Sequence, residues 1–494
     1  MKEDLTNQKR QLIKTMYLGK KKNGSGNDVL ILVHKLENNE KLIIYKENPL
    51  FSYHVTKKEY WNEVRDSNKY IEVEKTNLVE TPYDKLFNSF VPALDNDKEF
   101  KRRMDTIYNS GSNIWNQLKE LHLDNRLHGS DMNIEDYYIQ KFHKHWPYET
   151  NYMGLSRSFF DIEVDTSEYE GFPDPEKADC EVNIISLAFK ESREVYSFIL
   201  KYDTDTFREA MDNIDILKKE MVDEYNDYKP GIGDALKFIM YQYDTEIELI
   251  QGFFDTVNSI KPDFISAWNT KFDFRTLYNR IIKLGYEPPE VMCPKEVPKK
   301  YKYCDYRIDN YNRDLADKSD NYFVTGYTNY TDSMNLYAAL TKMKGRLESY
   351  ALDNVAEKEL GIKKDDTGDG LRNLHLVDYS KFLRYNIKDS MLLMLLEDEE
   401  DQIESFYLLS LLTSTRVNKA LKKSICLRNY SDMYHQSKGL VLSNNRSALF
   451  PKTGKFKGAF VGDPNNIDHI GLNVFDLNIE DSSKKLNNIN LGLE

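Results

Sequence analysis

Three short segments carry side chains of the types and spacing that metal-dependent hydrolysis needs. The first is Ser158-Phe159-Phe160-Asp161-Ile162-Glu163-Val164-Asp165, which alternates with the period of a strand. Phe160, Ile162 and Val164 would face a core, leaving Asp161 and Glu163 together on the opposite face. Paired carboxylates repel and are costly to desolvate, a conflict that a divalent cation removes. An exposed edge strand would tolerate the same pattern. The second segment is Ala267-Trp268-Asn269-Thr270-Lys271-Phe272-Asp273-Phe274. It sets Asn269 and Asp273 where a buried strand turns into a helix, a frequent ligand position in α/β folds. Asp273 as a plain helix N-cap would fit too. The third, Tyr385-Asn386-Ile387-Lys388-Asp389, puts Tyr385 and Asp389 one turn apart on a helix face, which could also be a local hydrogen bond.

These segments need strands and helices in a particular order. Apolar runs at Phe159–Val164, Val182–Phe189 and Val195–Leu200, separated by polar breaks, predict an antiparallel meander. Thr245-Glu246-Ile247-Glu248 opens a helix with a capping-box pattern, and Lys261-Pro262 closes it. Phe264–Trp268 reads as a buried strand, followed by a helix from about Phe274 that stops at Gly285. A long helix is expected from about Asp378 to Glu397. Together these are the parts of an α/β domain with a mixed sheet. Upstream, residues 29–46 read as a hairpin turning at Asn38-Asn39, and His145-Trp146-Pro147 looks like a boundary. The polar tail after Asp481 is expected to be poorly ordered.

Composition agrees with a chain of about three domains at 494 residues. The 40% apolar content suffices for cores, and no apolar run approaches the roughly 20 residues of a bilayer span. The start shows no signal core, so a membrane or secreted protein is not expected and a cytoplasmic location is. Four cysteines without a CxxC pair fit reduced thiols. A net charge of −13 argues against a surface coated in nucleic acid, though not against a local basic groove.

Taken together, the three motifs resemble Exo I, Exo II and Exo III of the 3′–5′ exonuclease domain of family B DNA polymerases, a group within the tyrosine-containing DEDD exonucleases. Asp332-Ser333-Met334-Asn335-Leu336-Tyr337 and Ser349–Ala356 are similar to the family's segments between Exo II and Exo III. Leu127-His128-Gly129-Ser130-Asp131-Met132 resembles the approach to that domain in phage-like members. The resemblance implies an RNase H-like exonuclease domain over 151–400. An α+β N-terminal domain over 1–150 would precede it, with a helical connector and partial palm over 401–494. It implies two Mg²⁺ ions, replaceable by Mn²⁺, held by Asp161, Glu163, Asp273 and Asp389. Tyr385 would orient the attacking water, and Asn269 and Phe272 would contact a frayed single-stranded 3′ end of a primer–template.

Phe456-Lys457-Gly458-Ala459-Phe460-Val461 resembles the family's link between exonuclease and palm, giving Lys457 and Gly458 as DNA contacts. Val474-Phe475-Asp476-Leu477-Asn478 resembles the start of palm motif A, whose aspartate, here Asp476, binds polymerase metals. Sixteen residues follow Asn478, which predicts a separate chain for the rest of the palm, the fingers and the thumb. Tyr202-Asp203-Thr204-Asp205 imitates the missing aspartate motif but precedes Exo II, and reads as a surface loop. The expected activity is proofreading hydrolysis for DNA replication, not polymerisation by this chain alone. A non-catalytic DNA-binding subunit and a stand-alone repair nuclease are the alternatives.

Overall fold

In the computed structural model, the apolar runs assemble with two further strands into a six-stranded sheet. Its strands are β1 (Arg157–Val164), β2 (Val182–Phe189), β3 (Glu194–Leu200), β4 (Lys237–Tyr243), β5 (Phe264–Ala267) and β6 (Asn329–Asp332). The order is β4-β3-β2-β1-β5-β6. The expected antiparallel meander is β1-β2-β3. β4 joins β3 in parallel, and β5 and β6 run parallel to β1, so the sheet is mixed. β1 lies between β2 and β5, which removes the edge-strand explanation of Asp161 and Glu163. The structure describes residues 9–444 except 23–25, 65–69, 111–113, 310–313, 343–344, 346 and 363–370. Lys457, Gly458, Asp476 and the tail after Asp481 lie outside the described residues.

Helices cover both faces of the sheet. On one face, α1 (Glu246–Ile260) and α2 (Thr270–Lys283) bury Leu249, Phe253, Phe274 and Leu277 against Phe160, Ile162, Ile185 and Phe198. α3 (Ser333–Leu340) follows β6 directly. The other face is crossed by α4 (Tyr379–Glu400), which packs on β1 and β2. Its stretch Met391–Leu396 is buried all round, because further helices lie on its outer side. α1 ends at Lys261 in a left-handed conformation (φ 57°), just before Pro262. The Thr245 hydroxyl donates to the Glu248 carboxylate at 2.9 Å, and no backbone N–H donates to it. The loop at Tyr202 is a surface loop: Asp203 and Asp205 are almost fully exposed and pair with Arg208.

The N-terminal region folds around the expected hairpin. Val29–Leu36 pairs with Lys41–Glu47, and Arg10–Leu18 adds a third strand. A second sheet sets Leu50–Thr56 between Thr76–Pro82 and Leu127–His128, with its own core of Phe51, Tyr53 and Phe90. Helix Ile134–His145 ends at the Trp146-Pro147 boundary. Residues up to Asn444 nonetheless pack as one compact unit. All four cysteines are free thiols, and among the described residues no helix is long and apolar enough to cross a membrane.

A buried ion triad joins the hairpin to the sheet. Asp263, at the foot of β5, accepts from Lys35 at 2.9 Å and pairs with Lys41 at 2.7 Å, all three side chains being at most 5% exposed. Burial alone would raise the Asp263 carboxyl, but Lys41 and Lys35 outweigh it and hold it below the usual range. Asp263→Ala would strand two ammonium groups in the interior, at a cost of about 3–5 kcal/mol in chemical denaturation. Breaking the exposed Lys201–Asp244 pair should change stability little by comparison. Equal midpoints for the two variants would contradict a role for the triad in holding the sheet.

Candidate active site

The carboxyl ends of β1 and β5 meet α4 at one cluster of acids. Asp161 and Glu163 project from β1 toward α4, and Asp389 comes down from the helix. One carboxylate oxygen from each falls within 4.8 Å of the others, with Asp161 and Glu163 half-buried and Asp389 buried. Oxygen-only donors at this spacing suit a hard divalent cation better than a soft one. Asp161, Glu163 and Asp389 could therefore hold a metal ion.

The crossing of α4 over β1 and β2 is fixed by hydrogen bonds. Asn386, wholly buried, donates to the Asp161 carboxylate at 2.9 Å. Ser186 lies opposite Asp161 in the sheet and donates to the Asn386 carbonyl at 2.8 Å. Asn386 thus sets the orientation of Asp161 from the helix that supplies Asp389. Sequence reasoning passed over it as a spacer in the third motif, because its role exists only once the helix crosses the strand. Tyr385 is half-buried on α4, one turn before Asp389.

α2 begins four residues earlier than the sequence suggests, at Thr270, with Asn269 as its N-cap residue. Asp273 is therefore inside the first turn and not a cap, and it is 5% exposed. It stands outside the tight group of three. Burial pushes its carboxyl well above the ordinary range, and Asp332, Glu163 and Asp389 push it further, so it shares the cluster's electrostatics. The junction is braced from β6: Thr270 donates its hydroxyl to the Thr331 carbonyl at 2.7 Å, and Ser266 bonds to Ser333 at 2.7 Å. Asp332 accepts from the Asn335 N–H at 2.8 Å, and burial raises its carboxyl to about 7. Its proximity to Asp273 was not foreseen, since 59 residues separate them in the chain.

Phe272 is half-buried and packs on Phe172, with ring centres 5.3 Å apart. Phe172 is 78% exposed on the loop after β1. Arg275 pairs with Glu176 of that loop, and Asn279 donates to the Pro175 carbonyl at 2.8 Å, so α2 holds it in place. An exposed phenylalanine in a Gly/Pro-rich loop gave no signal in the sequence.

Residues 115–355 match the family model described as DNA polymerase family B, exonuclease domain. This chain carries a family B DNA polymerase exonuclease domain. The curated relatives include DNA polymerase 1 of Saccharolobus solfataricus, 25% identical over 332 residues, which are 64% of this chain and 32% of that protein. DNA polymerase 1 of Sulfolobus acidocaldarius is 23% identical over 332 residues, with the same shares. The match thus spans about a third of each relative's length. The acidic cluster formed by Asp161, Glu163 and Asp389 lies inside the matched family B region except for Asp389.

The buried Asp273 has a testable consequence for metal-free protein. Its carboxyl is raised in the fold, so the protein loses stability as pH climbs above the ordinary carboxylate range toward that raised value. Asp273→Asn should therefore melt above the parent at pH 8 in EDTA, and the gap should close as pH falls toward 4. A variant that melts below the parent at pH 8 would contradict the electrostatic account.

Proposed function

We propose that the chain is the proofreading part of a phage-like family B DNA polymerase, hydrolysing DNA from its 3′ end with two Mg²⁺ ions. The observation that carries this reading is the convergence of Asp161, Glu163 and Asp389 within 4.8 Å inside an exonuclease-family chain. The sheet order, with an antiparallel β2 beside β1 and parallel β5 and β6 beyond, supports an RNase H-like domain over 151–400. An N-terminal domain over 1–150 and a connector with the start of a palm over 401–494 complete the proposed division.

Asp161, Glu163 and Asp389 would hold the metals, with Asp273 completing the second position. When bound, the metal pair supplies a hydroxide and stabilises the in-line displacement at phosphorus. Asn386 keeps Asp161 turned toward the site through its 2.9 Å hydrogen bond. Tyr385 orients the attacking water from the neighbouring helical turn. Phe272 with Phe172 offers a face on which a frayed base stacks without sequence preference, while Asn269 contacts the same end.

The test is degradation of a labelled single-stranded oligonucleotide in Mg²⁺ under single-turnover conditions. Asp161→Ala/Glu163→Ala should abolish release of mononucleotides from the 3′ end. Tyr385→Phe removes one positioning hydroxyl and no ligand, so its cleavage rate should fall by roughly 10- to 1000-fold while Mn²⁺ binding persists. Parental rates in the carboxylate double variant would mean that the site is misassigned, and no cleavage by the parent itself would leave a non-catalytic DNA-binding subunit as the better reading.

A further inference from the structure

Phe172 stands in the loop that joins β1 to β2, and the loop is anchored on both sides of it. α2 holds the far side through Glu176 and the Pro175 carbonyl. The near side is held from elsewhere. Arg372 donates from Nε to the Thr166 carbonyl at 3.0 Å and from Nη2 to the Tyr169 carbonyl at 2.6 Å. Both carbonyls belong to one turn, closed by the Tyr169 N–H on the Thr166 carbonyl at 3.0 Å. The base of that turn is fixed as well. Asp165 accepts from the Ser167 N–H at 2.9 Å, and Nε2 of the buried His375 lies 3.3 Å from its other oxygen. Between the anchors at Tyr169 and Pro175 lie residues 170–174, where Gly171 turns the chain in a left-handed conformation (φ 88°) just before Phe172.

Arg372 and His375 belong to the short helical stretch at Leu371–Asn373 and Leu374–Val377, which leads directly into α4, the helix of Tyr385 and Asp389. Arg372 is exposed, so its side chain fills no core, and fixing it on a surface costs rotamer entropy. What it gains is a planar fork that meets two main-chain carbonyls at once, a geometry an ammonium group does not match. The loop carrying Phe172 is thereby referenced to the helix that supplies Asp389, and not to α2 alone.

We propose that Arg372 is a positioning residue for DNA. It holds the Phe172 loop against the start of α4, so that the face on which a 3′-terminal base stacks is in place before the strand binds. A loop left loose would have to be ordered on binding, and that cost falls on affinity. The inference rests on the proposed single-stranded 3′ end as substrate and adds to it the residue that prepares its binding face.

The experiment is fluorescence anisotropy of a labelled single-stranded oligonucleotide with the full chain in EDTA, which reads binding without cleavage. Single-turnover cleavage in Mg²⁺ gives the maximal rate alongside. Phe172→Ala should weaken binding about fivefold or more, the loss of one stacked base. Arg372→Ala should weaken it about threefold or more, with the maximal rate within about threefold of the parent, because no group at the reacting phosphorus has changed. Arg372→Lys keeps the charge but not the fork, and should bind as weakly as Arg372→Ala. In Phe172→Ala/Arg372→Ala the second change should add less than about twofold, since its effect passes through the phenylalanine. Parental affinity in Arg372→Ala would overturn the proposal. So would parental affinity in Arg372→Lys or fully additive losses in the double variant, either of which would make the guanidinium a plain charge beside DNA. Every comparison is one of binding, so a parent that binds without cleaving would refute the proofreading assignment and leave this test intact.

Discussion

Mutual repulsion among Asp161, Glu163 and Asp389 is the constraint that the surrounding structure answers. Three like charges with oxygens inside 4.8 Å oppose the fold unless something rigid holds them and something positive binds them. The rigidity comes from placing two of them on a strand with neighbours on both sides and the third on the buried middle stretch of a helix. Neither element can shift to relieve the repulsion without exposing a core face. Asn386 and Ser186 then lock the helix to the strands, so the site's geometry is inherited from the packing.

The same logic runs through the neighbouring elements. β6 contributes no aliphatic side chain, yet its Thr331 carbonyl and Asp332 carboxylate brace the turn that delivers Asn269 and Asp273. The hairpin of the N-terminal region is attached through Lys35 and Lys41 to Asp263 at the foot of β5. Lys14 reaches the Val324 and Thr328 carbonyls in a similar way. Buried charge, costly in isolation, registers one part of the chain against another.

The sequence made legible what depends on local pattern. Runs such as Val182–Phe189, buried on both faces, announce themselves, and so do the breaks at Pro262 and Gly285. β4 escaped notice because it is an edge strand with no fully buried side chain, and β6 because Asn-Tyr-Thr-Asp has no apolar run. The α2 start was misplaced because Asp273 is a good capping residue, whereas tertiary contacts at Thr270 begin the helix earlier. Asp161, Glu163 and Asp389 were readable as a set from their placement on a strand and a helix. Asn386, Phe172 and Asp332 were not, since each acts through a contact between distant segments.

The central claim is that this carboxylate cluster is a metal centre. Anomalous diffraction from crystals soaked in Mn²⁺ and a nucleoside 5′-monophosphate tests it directly. The account predicts strong anomalous peaks bonded to Asp161, Glu163 and Asp389, at the short oxygen distances of a hard cation. Bound manganese elsewhere on the protein, with none at these three carboxylates, would contradict it.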